Sequence, residues 1–196
     1  GSDPLLINSP VTAIDANVSS MDAGERHSLI VKSNGSLWTF GANGSRAMGD
    51  GTTTHRSTPV KVVDANVTQA SAGGYFTHFV KNDGSLWAMG YNEYGRLGNG
   101  GTGDRHSPVL IVDGNVSMVS SGWQFTAFVK SDGSLWTNGR NAYGQLGDGT
   151  TTTRKSPIKV VDGNVTKVAA WGHTMFIKND GSLWGMGMND VGRLGD

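Results

Sequence analysis

Four times along the chain, two adjacent apolar residues stand where a pleated strand sends them to opposite faces: Ile30-Val31, Phe79-Val80, Phe128-Val129 and Phe176-Ile177. Leucine and tryptophan repeat the pattern at Leu37-Trp38, Leu86-Trp87, Leu135-Trp136 and Leu183-Trp184. Neither face of such a sheet favours water. The Ser-Leu-Trp triplets beginning at Ser36, Ser85, Ser134 and Ser182 are spaced 49, 49 and 48 residues apart, so the chain is a tandem repeat. In the second copy the pattern predicts strand A at 67–72, B at 77–82, C at 85–89 and D at 108–112. Asp83-Gly84 predicts a two-residue hairpin turn between B and C, with both residues at positive φ. The same turn is expected at Asn34-Gly35, Asp132-Gly133 and Asp180-Gly181. Pro108 suits a strand start or an edge.

A four-stranded sheet with two apolar faces must lie between neighbours, which radial blades accomplish by packing sheet on sheet around an axis. A β-solenoid would need shorter coils, and a sandwich less strict repetition. The expected fold is therefore all-β, a β-propeller of four-stranded antiparallel blades, with four blades in this chain. It forms one repeat domain over 1–196, in units of approximately 11–59, 60–108, 109–157 and 158–196, with segment 3–10 completing the last. Four units could close alone, pair as two chains into an eight-bladed ring, or belong to a longer array; exposed apolar blade faces favour a homodimer.

Composition agrees with many short strands: there are 30 glycines, and charged residues make up only 16%. Sixteen basic residues balance sixteen acidic ones. A nucleic-acid partner thus lacks its usual electrostatic footprint, and membrane insertion lacks an apolar run of spanning length. There is no cysteine, which excludes disulfides and thiolate metal sites. Gly1-Ser2 reads as an expression scar.

The series Gly-x-x-His-Ser/Thr, Asp-Gly-Ser-Leu-Trp, Gly-x-Asn-x-x-Gly-Gln/Arg-Leu-Gly and then Pro resembles the regulator of chromosome condensation repeat family. It is most complete at Gly139, Asn141, Gly144, Gln145, Leu146, Gly147 and Pro157. The resemblance implies a propeller, commonly of seven blades, serving as a platform for protein partners; some members exchange nucleotide on a small GTPase and others inhibit enzymes. The histidine of the pattern is His27 and His173 but Phe76 and Phe125 in the middle copies. Arg46 stands in the column of Gly95, Gly144 and Gly192, and Phe40, Met89, Asn138 and Met186 replace a second tryptophan.

Comparison of the four copies separates two ends. The B–C turns and D–A connections hardly change: the connections read Asp15-Ala16-Asn17, Asp64-Ala65-Asn66, Asp113-Gly114-Asn115 and Asp162-Gly163-Asn164. Turn geometry accounts for part of that constancy. The opposite end changes in every copy. Its A–B loops carry Glu25-Arg26-His27, Gly74-Tyr75-Phe76, Trp123-Gln124-Phe125 and Trp171-Gly172-His173, and its C–D loops carry Tyr91, Tyr94, Arg140, Tyr143 and Met188. Aromatic and arginine side chains on loops of a rigid frame dominate binding hot spots. The expected ligand-binding set is accordingly Glu25, Arg26, Tyr75, Phe76, Tyr91, Tyr94, Trp123, Gln124, Phe125, Arg140, Tyr143, Trp171 and Met188. The four repeat tryptophans are expected in the core.

No enzyme chemistry is legible. The histidines lack ligand spacing, the acidic residues are mostly turn aspartates, and 147–152 lacks the lysine and following helix of a phosphate loop. No cofactor, metal or catalytic residue is expected. Asn-x-Ser/Thr triplets at the packed connections favour a bacterial source; a secreted or cell-surface location is expected in preference to a cytoplasmic one. The expected function is a non-enzymatic scaffold recognising a protein partner in preference to a glycan. The alternatives are a guanine nucleotide exchange factor or other small-GTPase regulator, and spacer units of a long bacterial repeat protein.

Overall fold

Strand pairing in this computed structural model, which describes residues 9–14 and 16–195, follows the repeat. Segment 3–8, Asp15 and Asp196 lie outside the described residues. The first blade holds β1 (Val18–Ala23), β2 (His27–Lys32), β3 (Leu37–Gly41) and β4 (Arg56–Val63). The second holds β5 (Val67–Ala72), β6 (Phe76–Lys81), β7 (Leu86–Gly90) and β8 (Arg105–Val112), and the third β9 (Val116–Ser121), β10 (Phe125–Lys130), β11 (Leu135–Gly139) and β12 (Arg154–Val161). Each is an antiparallel sheet of sequential strands. The fourth has three strands among the described residues, β13 (Val165–Ala170), β14 (His173–Lys178) and β15 (Leu183–Gly187). The fold is a β-propeller.

The Asp-Gly-Ser-Leu-Trp motif builds the B–C end. In the second blade Ser85 Oγ and N both donate to the Asp83 carboxylate, at 2.6 and 2.9 Å, and the Trp87 indole donates to Ser85 Oγ at 2.9 Å. Lys81 places its ammonium 4.5 Å from the Trp87 ring centre, and Phe79 stacks on it. The tryptophans are half-buried struts pinned by these bonds, at the margin of the core, while the preceding leucines of the first three blades are fully enclosed.

Two local expectations are corrected. The B–C connection is a three-residue loop: Gly84 N donates to Lys81 O and Lys81 N to Ser85 O, and only the glycine has positive φ. A type I turn followed by one left-handed residue is the usual form of a three-residue hairpin loop. The glycine also admits the next blade, since a Cβ on Gly84 would lie 2.7 Å from Asn115 N. Strand D begins three residues before the proline, at Arg105 in the second blade, because an edge strand tolerates a missing N–H.

Blades pack face to face as the doubly apolar strands require. Leu29, Val31 and Leu37 meet Val67 and Phe79; Val80 and Leu86 meet Val116 and Phe128; Val129 and Leu135 meet Val165 and Phe176. Burying each such leucine contributes about 2 kcal/mol. Hydrogen bonds repeat at every junction. Val67 N donates to Gly35 O, Val116 N to Gly84 O and Val165 N to Gly133 O. Thr77 Oγ1 donates to Ala47 O, Thr126 to Arg96 O and Thr174 to Gln145 O.

Candidate binding face

The C–D loops that carry the variable residues are held by one asparagine each. Asn141, fully buried, donates from Nδ2 to Asp148 Oδ1 and Thr150 O and accepts from Leu146 N, at 3.0, 2.9 and 3.0 Å. Asn43 and Asn92 repeat this arrangement. Burial opposes ionisation of Asp148, but bonds from Thr150, Arg154 and Asn141 hold its carboxyl at about 2. The motif residues therefore shape the loop, and the residues beside them are the ones that differ between copies.

Those neighbours form a connected ridge across three blades. Glu25 accepts from Tyr75 Oη at 2.6 Å and from the Trp123 indole at 3.2 Å. Tyr75 meets Tyr91 edge to face, with ring centres 6.5 Å apart, and Tyr91 Oη donates to Glu93. The hydrogen bond to Glu25, with smaller effects of desolvation and charge, raises the Tyr75 pKa. Farther along, Arg140 lies over Tyr94 and donates to Gln124 Oε1. Backbone bonds between adjacent A–B loops, Gly74 N to Gly122 O and Trp123 N to Trp171 O, fix the ridge to the frame.

Two hollows flank it. One of about 80 Å³ lies between the third and fourth blades, with Trp123, Gln124, Phe125, Tyr143, Trp171 and Met188 in its lining. The other, of about 110 Å³, includes Arg26, Tyr75 and His55. Trp123, Tyr143 and Trp171 are about half exposed. Two expected contact residues are placed differently: Phe76 is fully buried and Phe125 forms a floor beneath the surface. Both begin a B strand, where the side chain points between blades.

Arg96 went unrecognised because it stands in the scaffold motif. It is buried, with its guanidinium 4.8 Å from the Tyr91 ring centre, 5.6 Å from Phe76 and 5.8 Å from Tyr94, and Nε donates to Glu93 O. Burial lowers its pKa, opposed by Glu93. Arg46 takes φ 65° in a glycine column and is held by Asp104 and His106, both at 2.7 Å. A non-glycine residue there signalled a special contact.

The buried histidines belong to the frame. Thr77 donates to Ala47 O, so it accepts from His27 Nε2 at 2.9 Å; His78 Nε2 donates to Leu97 O at 3.2 Å. Desolvation lowers both to about 4, with Asp22 opposing the shift at His27 and the Leu97 bond opposing it at His78. Among the described residues no group of three or more His, Cys, Asp or Glu is placed to hold a metal.

A family model described as the regulator of chromosome condensation (RCC1) repeat matches residues 34–80, 83–129 and 132–177, and a second model of that repeat matches 18–46 and 67–96. Among solved structures, human WBSCR16 superposes with a TM-score of 0.77 at 22% identity, over 87% of this chain and 47% of that one. Yeast RCC1 (Prp20) bound to Kap60 gives 0.76 at 18%, over 91% and 45%. Prp20p from Saccharomyces cerevisiae, whose structure was described with its binding properties to Gsp1p and histones, gives 0.75 at 23%, over 90% and 45%. These likenesses carry the fold. The chain spans slightly less than half the length of each of these structures. No curated protein matches the sequence.

Proposed function

This chain belongs to the regulator of chromosome condensation repeat family, and from that premise we propose that it is a non-enzymatic scaffold that binds a protein partner through the A–B and C–D loops of one face. The observation that carries this reading is the Glu25 bridge, which ties Tyr75 and Trp123 from two other blades into one ridge. A ridge held in place before binding loses little side-chain entropy on contact, and Trp, Tyr and Arg are the residues that convert such contact into affinity. The repeat units act as one domain over 1–196. The ridge and the hollow beside Trp171 suit a folded protein surface with projecting side chains better than a glycan.

The test is affinity capture with the wild-type chain from the lysate of its source, repeated with Trp123→Ala/Trp171→Ala and with a control variant at the constant end, Asn34→Asp. A captured protein that the control retains and the double variant loses supports the reading. Equal capture by all three removes it.

Membership of the family supports a second reading, regulation of a small GTPase. For Prp20p, binding to Gsp1p is named with the structure. Accelerated nucleotide release from a GTPase panel is the expected signature, and none across the panel excludes it. The exposed faces of the end blades also support self-association of the scaffold.

A further inference from the structure

The three internal junctions follow one rule, and the two ends of the arc carry its unmatched halves. On the leading side of each junction stand the strand C leucines, Leu37, Leu86 and Leu135, all 0% exposed; on the trailing side stand Val67, Val116 and Val165, all 4% exposed. The same residue types at the ends are open: Leu183 is 64% exposed and Val18 43%. Around Leu183 lies an apolar groove with Val168, Met175 and Ile177. Around Val18 lies a larger hollow of about 580 Å³, lined by Met21, Ile30 and Phe40 of the blade and by segment 11–14, which the exchange proposed below would withdraw from it. The two faces belong to opposite ends, so each fits the other type and not itself.

A second observation is independent of burial. Strand D pairs with strand C in a fixed register: Leu135 opposite Val161, Trp136 opposite Lys159 and Thr137 opposite Ile158, with the same offsets in the first and second blades. The fourth blade presents β15 with no such partner among the described residues. Ser9-Pro10-Val11-Thr12-Ala13-Ile14 repeats the strand D sequence Ser156-Pro157-Ile158-Lys159-Val160-Val161, yet it lies in no strand and is mostly exposed. Among the described residues, β15 thus has no strand D beside it, and a strand D sequence at 9–14 lies in no strand. An open edge of this kind is a template for pairing with another chain.

We propose that two copies of this chain close head to tail into an eight-bladed ring, in which residues 9–14 of each copy become the fourth strand of the other's last blade. The repeat register places Ile14 opposite Leu183 of the second copy, Thr12 opposite Trp184 and Val11 opposite Gly185. Continuing the junction bonds, Val18 N donates to Gly181 O and Ser28 Oγ to Arg193 O across the boundary. Such a heterologous contact makes a closed ring when its rotation completes the circle. The chain spans slightly less than half the length of the yeast and human chains, so two copies together have about the length of one such chain. The proposal rests on the self-association reading and adds the exchanged strand.

The 196-residue chain, measured by light scattering over a dilution series, is expected to have the mass of two chains. Leu183→Asp, exposed in the single arc, is expected to fold normally and have the mass of one. Because the sequence contains no cysteine, Thr12→Cys and Trp184→Cys variants, unfolded, mixed, refolded together and oxidised, are expected to give a cross-linked pair that neither variant gives alone. A wild-type mass of one chain, or of more than two, overturns the ring. A two-chain mass without the cross-link overturns the strand exchange while leaving self-association standing. A Leu183→Asp variant that stays paired overturns the junction.

Discussion

The Trp123 indole donates to Glu25 across 98 positions of sequence, joining the third blade to the first at 3.2 Å. The other carboxylate oxygen accepts from Tyr75, so one side chain fixes the orientation of two aromatic groups. Glu25→Gln should lower the Tyr75 pKa toward its ordinary value, because the hydrogen bond to the carboxylate is the main cause of its rise. Ultraviolet difference titration of Glu25→Gln against wild type checks this, with Tyr75→Phe identifying the signal. An unchanged Tyr75 titration would contradict the bridge.

The double substitution Trp123→Ala/Trp171→Ala should weaken partner binding by about 2 kcal/mol or more, the scale of a hot-spot aromatic. Both rings are about half exposed, so the loss in unfolding free energy should be much smaller. Calorimetric binding to the captured partner and denaturant unfolding separate the two effects.

Stability should fall as pH drops from about 6.5 toward about 4. His27 and His78 have folded-state values near 4, against 6.5 when unfolded, so the unfolded chain binds more protons within that window. Each contribution is complete above the unfolded value and is lost on acidification, with an upper limit of roughly 3 kcal/mol per histidine. Urea midpoints at pH 7 and pH 5 provide the measurement. His27→Phe, which copies the side chain of the second and third units, should flatten the slope.

Asn141→Ala should cost about 3 kcal/mol, since it leaves the Leu146 amide without its acceptor in a buried loop and removes two further bonds. Denaturant unfolding checks the magnitude. Far-ultraviolet circular dichroism should change little, because the strands themselves do not depend on this loop.

The repeat was legible because each copy solves the same local problem with the same residues. Asp83-Gly84-Ser85-Leu86-Trp87 fixes a turn, a capped serine and an inward leucine within five positions, and strand alternation follows without any distant contact. The variable residues were legible as a set on one end for the same reason. Arg96 was not, since its cation lies over rings from separate parts of its blade, and a motif position gives no sign of that. Phe76 was misplaced because its strand register, and not its loop neighbours, decides that it points between blades.

By itself the sequence determined a propeller repeat, the leucine and valine faces of every blade, and which loops differ. The tertiary structure alone decided which of those loop residues meet, because Glu25, Tyr75 and Trp123 become neighbours only once the blades stack at a fixed rotation. It also decided which apolar faces remain open. Leu135 and Leu183 share the same local motif, yet one is enclosed and the other exposed, since burial depends on whether another blade lies against it. Local periodicity encodes the blade; the contacts between blades depend on a geometry that no single repeat contains.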